Sequence, residues 1–396
     1  MKNILIILGL LFAITANCQV DTKPDQNKKT SKKKPASTVT TTMTPVAVPE
    51  PREEKNYLAM VRVAKNWGYI DPTGTYIINP QFDDAEEFSE GYAAVKKMHD
   101  WGYIDPKGHY TINPQFERAG FFTEKMARVV KFKKWGYIDK TGIFIINPQF
   151  EDACDFSDGL ARVKKGVLWG VIDNKGKYII NPQFNELGEF SDGMACARLG
   201  KQWGYVDKTG KWVINPQFGE AETFDGSFAR VKKGLFWGYI DRTGTYVINP
   251  QFEGTGDFYN GLARAKKMKK WGYIDKKGAW VVNPQFDNAG DFSEGMAKVK
   301  KLKFWGYIET SGTYVINPQF DEAEDFAHER AIVKMRTQWG IIDKKGTYLI
   351  NPQFDALHKF ENGYAMVRKG AKWAFINLSG KVVTNYMYEH AGNFTY

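Results

Sequence analysis

Five histidines, three cysteines and 45 acidic residues are the side chains from which this 396-residue chain would have to build a catalytic or metal centre. His99, His109, His328, His358 and His390 fall at scattered spacings, with no His-x-x-x-His pair and no Cys/His cluster, so no zinc site is expected. There is no Gly-x-Ser-x-Gly elbow, no phosphate-cradling Gly-rich loop and no cysteine-protease signature. Asp71, Asp105, Asp139 and their equivalents recur near glycine, and Ser-Glu-Gly at 89 and Ser-Asp-Gly at 157 add further carboxylates. Calcium needs about six to eight converging oxygens, and the dense Asp/Asn spacing of a calcium loop is missing, so capping of turns is the role expected of these acids. Cys154 and Cys196 are read as either buried thiols or a disulfide. No cofactor, no metal and no catalytic residue is expected. A hydrolase is kept only as a distant alternative, because an active site needs different residues to converge.

Basic residues are placed far more regularly. Five positions before successive tryptophans stand Arg62, Lys96, Lys164, Arg198, Lys232, Lys266, Lys300, Lys334 and Arg368, with only Val130 breaking the series. Two residues earlier come Arg128, Arg162, Arg230, Arg264 and Lys298, on the same strand face by alternation. Stacked copies align such residues into a ladder that suits a linear polyanion such as an acidic envelope polysaccharide. The plainer reading is a solvated face paired with acids such as Glu151, Asp158, Asp287 and Glu294. Leu168, Phe236 and Phe304 occupy the position just before tryptophan in three units, where other units are polar or charged. If exposed, they form a spaced apolar stripe suited to a protein partner. The recurring Trp, Tyr and Phe themselves are read as core in preference to sugar platforms, since every unit must find its core among them.

Such ladders require elements that repeat without a slip. Trp occurs at 67, 101, 135, 169, 203, 237, 271, 305, 339 and 373, always 34 residues apart, and Asn-Pro-Gln-Phe begins at nine positions from 79 to 351 in the same phase. Eight residues before each of these tryptophans lies an alanine, from Ala59 to Ala365. In Ala161-Arg162-Val163-Lys164 apolar and basic residues alternate, the period of a half-buried strand. Trp135 to Asp139 predicts a second strand, and Asp-x-x-Gly, as at Asp71 to Gly74, predicts a type I turn with glycine at positive φ. Thr245 to Ile248 predicts a third strand, which Pro250 should end because it has no N–H to donate. Phe150 to Gly159 then reads as a compact connector pinned by Phe150 and Phe156.

These residues, Trp-Gly-Tyr-Ile-Asp-x-x-Gly followed by Asn-Pro-Gln-Phe, resemble the WG-repeat (KWG-repeat) family of bacterial proteins over about residues 57–396. The tenth unit departs at Ala374 and at Tyr386 to Tyr388, which puts any ligand role of those positions in doubt. The resemblance implies a β-rich tandem repeat, often in exported or multidomain proteins, with no general catalytic activity and no agreed ligand. The expected fold is all-β, with tandem 34-residue three-stranded β repeats in an open superhelical array and the degenerate last unit as a cap. A closed propeller-like ring is the alternative, second because propeller blades usually run to about 40–50 residues.

The N-terminus predicts export. Met1-Lys2-Asn3, an apolar run from Ile4 to Ile14 and Thr15 to Gln19 follow the plan of a signal peptide over 1–18. Cys18 as a lipidated first residue is the alternative. Residues 19–56, rich in Lys, Thr and Pro, read as a disordered linker, and no transmembrane segment is expected in the mature chain. The net charge of +10 falls to +6 once the seven lysines and three acids of residues 1–50 are set aside, so no specific nucleic-acid partner is expected. The reading is an exported protein, periplasmic, outer-membrane-associated or extracellular, that offers protein partners an extended multivalent scaffold. Binding of envelope glycan or another polyanion through the basic ladder is the alternative.

Overall fold

The structure, a computed structural model, describes residues 57–396; the expected signal peptide, linker and Cys18 anchor lie outside the described residues. One unit shows how the sequence is used. Leu160–Lys165, Leu168–Asp173 and Tyr178–Phe184 form an antiparallel meander. Ala161 and Val163 are buried and Arg162 and Lys164 half-buried, as the alternation requires. The Asp-x-x-Gly turn behaves as expected: Gly74 lies at φ +87°, its N–H donates to the Asp71 carbonyl at 2.9 Å, and the N–H of Thr73 donates to Asp71 Oδ1 at 2.9 Å.

Two expectations about the unit need correction. Nine of the ten sheets are four-stranded rather than three-stranded, because a short edge strand such as Asp152–Ala153, paired to Lys164 and Val163, is added; only the sheet of Tyr364–Lys369 and Lys372–Asn377 keeps three strands. Nor does the proline end the third strand. Tyr246–Phe252 runs through Asn249-Pro250-Gln251 as a bulge, and pairing resumes with Phe252 opposite Trp237. The bulge presses on the glycine that follows the tryptophan: a Cβ on Gly238 would lie 2.5 Å from the Ile248 carbonyl oxygen and 2.7 Å from Pro250 N. Glycine after Trp and Asn-Pro-Gln-Phe are thus one device. In the tenth unit both are lost together: buried Ala374 coexists with an irregular return in which Trp373 N–H donates to the Tyr388 carbonyl at 2.9 Å.

The blades share cores rather than owning them. One cluster joins Tyr137, Ile146 and Phe150 of one blade to Ala153, Phe156, Ala161, Val163 and Ile172 of the next. The Tyr137 ring meets Phe156 edge-on at 4.8 Å, and its hydroxyl donates to the Cys154 carbonyl at 2.7 Å. Burial of each such large side chain is worth about 1.5–3 kcal/mol. The alanine found in every unit is buried, as at Ala59, Ala161 and Ala365, and Ala161 lies in the cluster shared with the preceding blade.

The array is a closed ring, a ten-bladed β-propeller, and the open superhelical arrangement does not form. The final strand, His390–Thr395, pairs antiparallel with the first, Leu58–Val63, from Leu58 opposite Thr395 to Arg62 opposite His390. It completes the first blade in place of a connector strand. The cluster at this seam joins Ala59, Val61 and Ile70 to Met366, Phe375, Tyr388 and Phe394. The last unit is therefore the closing seam and not an exposed cap, since both edges that an open array would leave bare are satisfied by each other.

Candidate binding surface

The basic ladder is absorbed by the seams between blades. Arg128 Nε lies 2.8 Å from Asp155 Oδ1 of the next blade and its Nη1 donates to the Ala153 carbonyl at 2.6 Å. Arg162 reaches Glu189 at 3.0 Å and the Leu187 carbonyl at 2.8 Å, and Arg230 reaches Asp257 at 2.7 Å and the Thr255 carbonyl at 3.0 Å. Arg264 repeats the pattern with Asp291 and Ala289. The second row lies over the tryptophans: Lys164 over Trp169 at 5.8 Å, Lys232 over Trp237 at 5.6 Å, Lys266 over Trp271 at 5.8 Å and Lys300 over Trp305 at 5.7 Å. Lys96 sits opposite Trp101 in register. Arg198 covers Trp203 at 6.0 Å and pairs with Glu186, as Lys232 pairs with Glu220 at 2.7 Å. These partners differ from the acids expected. Glu151, Asp158, Asp287 and Glu294 pair instead with Lys134, Lys208, Lys270 and Lys344, outside the ladder.

All ten repeat tryptophans are half-buried, with cations over most of their rings, so they are packing elements in preference to open sugar platforms. Arg118 and Arg128 both lie over Trp135, at 5.7 and 5.1 Å, and line an open cleft of about 420 Å³ with Glu86, Phe121 and Asp152. The turn aspartates are engaged by the backbone they cap. In Asp207 and Asp241 hydrogen bonds from Thr209 and Thr243 hold the carboxyl below its ordinary range. Among the described residues no three His, Cys, Asp or Glu side chains converge to hold a metal ion. Cys154 and Cys196 are free thiols, and burial pushes Cys196 up to about 11.

The apolar stripe is real in part. Phe236 and Phe304 are 44% and 42% exposed, while Leu168 is half-buried. The larger apolar display lies one or two residues earlier, at the tip of the hairpin between the first two long strands of a blade. Met98, Phe132, Leu235, Met268 and Leu302 are 78 to 82% exposed there, and Val167 is 76% exposed. Sequence reasoning passed over these tips because turns are assumed polar. The available signal was a two-residue turn, between paired positions such as Lys301 and Phe304, that contains a large apolar side chain.

The family described as WG containing repeat matches residues 67–97, 101–135, 135–166, 169–203, 203–234, 237–271, 271–302, 305–336, 339–373 and 373–396. The chain belongs to this family. In WG-repeat terms, the Trp is the platform under the second basic row, and the Gly is the gap that the Asn-Pro-Gln bulge fills. No curated protein matches the chain. Among solved structures, a eukaryotic initiation factor is similar with a TM-score of 0.51 at 10% identity, over 86% of this chain and 98% of that one. The dihydro-heme d1 dehydrogenase NirN gives 0.38 at 11% identity, over 85% and 74% of the two chains. Hsv2p of Kluyveromyces lactis gives 0.35 at 9% identity, over 57% and 92%. The first of these likenesses is one of fold alone.

Proposed function

We propose that this chain is a non-catalytic binding scaffold, exported to a bacterial cell envelope, that holds its partner through many weak and equivalent contacts. The observation that carries the reading is the set of hairpin tips, where Met98, Phe132, Met268 and Leu302 stand almost fully exposed at equivalent points of the ring and Leu235 stands equally exposed one residue further along its own tip. Single contacts of this size are weak, but contacts borne on one rigid body add through effective concentration. The tips support this role better than the basic ladder does, because the ladder charges already have partners inside the ring. Export rests on the signal-peptide pattern of residues 1–18.

The test is retention of envelope fractions by the full chain at low and high salt. One variant set changes Met98, Phe132, Met268 and Leu302 to Ser; another changes Lys164, Lys232, Lys266 and Lys300 to Gln. Retention that outlasts high salt and is lost in the Ser set is the expected result. Loss confined to the Gln set and to high salt would replace this reading with polyanion binding. Turnover of an envelope polymer by the purified chain would revive the hydrolase.

A further inference from the structure

The hairpin tips are strained as well as exposed. The first residue of the turn lies at positive φ in most blades: glycine serves at Gly166 (61°), Gly200 (62°), Gly234 (60°) and Gly370 (59°). Met98 (59°), Phe132 (56°), Met268 (51°) and Leu302 (56°) adopt the same conformation without being glycine, which a large side chain tolerates poorly. The chain therefore keeps four large apolar side chains where glycine would sit more easily, and packs none of them. Such strain persists where the surroundings impose it, and here they do. Met98 N–H donates to Asp83 at 2.5 Å, Lys133 N–H to Glu117 at 3.1 Å, Lys269 N–H to Glu253 at 3.0 Å and Leu302 N–H to Asp287 at 2.7 Å.

Lysines stand at these tips, next to Phe132, Met268 and Leu302 and after Gly200. Lys133, Lys201, Lys269 and Lys303 occupy the second turn position, are exposed, and have no side-chain ion pair among the described residues. Equivalent positions of a closed ring with one constant step lie on a circle, so the tips are coplanar and each knob is separated from the next by a blade. The opposite rim differs. There Glu90, Asp158, Asp192 and Glu294 are paired with Lys140, Lys208, Arg242 and Lys344. A protein partner would call for a contiguous apolar centre with a polar rim. A planar set of separate apolar knobs with ammonium groups between them matches the boundary of a lipid bilayer, apolar side chains below the headgroups and lysines against anionic ones.

We infer that this rim is a membrane-docking face, which seats the ring on an anionic lipid bilayer by inserting Met98, Phe132, Leu235, Met268 and Leu302. The inference rests on the binding-scaffold reading and names its partner. The insertion is an arc rather than a full circle, because the tips at Ala64, Lys201, Arg336 and Ala371 lack a large apolar residue.

The test is co-sedimentation of the full chain with phosphatidylglycerol-containing vesicles and with pure phosphatidylcholine vesicles. The decisive variant combines M98G, F132G, M268G and L302G, because glycine suits the backbone there and the melting temperature should hold or rise. The N-terminal lysines are the same in both proteins and cancel in the comparison. The wild type should prefer the anionic vesicles, and the glycine variant should partition at least about tenfold more weakly. Changing Lys133, Lys201, Lys269 and Lys303 to Gln should remove the preference for phosphatidylglycerol. Equal binding by the glycine variant, or no vesicle binding by the wild type, overturns the inference. In the second case, an envelope protein fraction that the wild type retains and the glycine variant does not would leave the scaffold reading standing with a protein partner. If the glycine changes affect neither, both readings fall.

Discussion

Arg264 and Asp291 face each other across the seam between two blades, Nε to Oδ1 at 3.0 Å, while Arg264 Nη1 donates to the Ala289 carbonyl at 2.8 Å. The same clamp joins Arg128 to Asp155, and Arg230 to Asp257 27 residues further on. Where the arginine is replaced by Cys196, the facing acid is replaced by Thr223. Burial pushes the Asp291 carboxyl up even though Arg264 pulls it down, so the pair is a means of joining blades more than a source of net stability.

Removing one partner strands the other. R264A and D291A should each lower stability, and the double variant should cost less than their sum, with a coupling of about 1 kcal/mol. A denaturant-melting cycle measures it, and additive effects would mean that the clamp is only a surface contact.

Gly238→Ala should be among the most damaging single changes, at about 3 kcal/mol, because the new Cβ meets backbone atoms of Ile248 and Pro250 that cannot rotate away. Ala374→Gly, at the matching position of the tenth unit, should cost no more than about 1 kcal/mol. Thermal melts of the two variants compare them directly. Similar losses would contradict the coupling of this glycine to the bulge.

Ring closure predicts its own failure. Deleting residues 390–396 uncovers Leu58–Val63 as an edge strand and opens the cluster around Val61 and Phe375. The shortened chain should melt earlier and self-associate through the bare edge, as light scattering would record. An unchanged melting temperature with monomeric behaviour would show that closure adds nothing.

Acid should weaken the ring through its turns. The carboxyls of Asp207 and Asp241 are held below the ordinary value of 3.8 by hydrogen bonds from Thr209 and Thr243. A carboxyl whose folded value is depressed contributes stability above its unfolded value and loses it as pH falls through the folded one. Melting temperature should therefore drop as pH is lowered from about 4, and D207N with D241N should flatten that slope. Both side chains are half-buried at turns partly open to solvent, so the effect per turn is small.

Much of the unit was legible because its signals are local. Alternation in Ala161 to Lys164, the turn at Asp71 to Gly74 and the pinning of the connector by Phe150 and Phe156 all depend on residues close in the chain. The clamp was half legible, since an arginine and an acid recur 27 residues apart, as at Arg230 and Asp257, but only the seam shows that they touch. Pro250 misled because a proline bars a ladder bond yet fits a bulge, and the glycine opposite it supplies the room.

By itself the sequence determined that the chain is all-β, repeats every 34 residues without a slip and belongs among WG repeats, since strand period, turn chemistry and motif phase are properties of short segments. Whether ten such steps stay open or meet was decided only by the tertiary structure. Closure depends on the small rotation between successive blades, which accumulates around the ring and is set by how Tyr137 and Phe156 pack across a seam, not by any single unit. Once His390–Thr395 reached Leu58–Val63, the ladder became a set of seams and the hairpin tips became a rim.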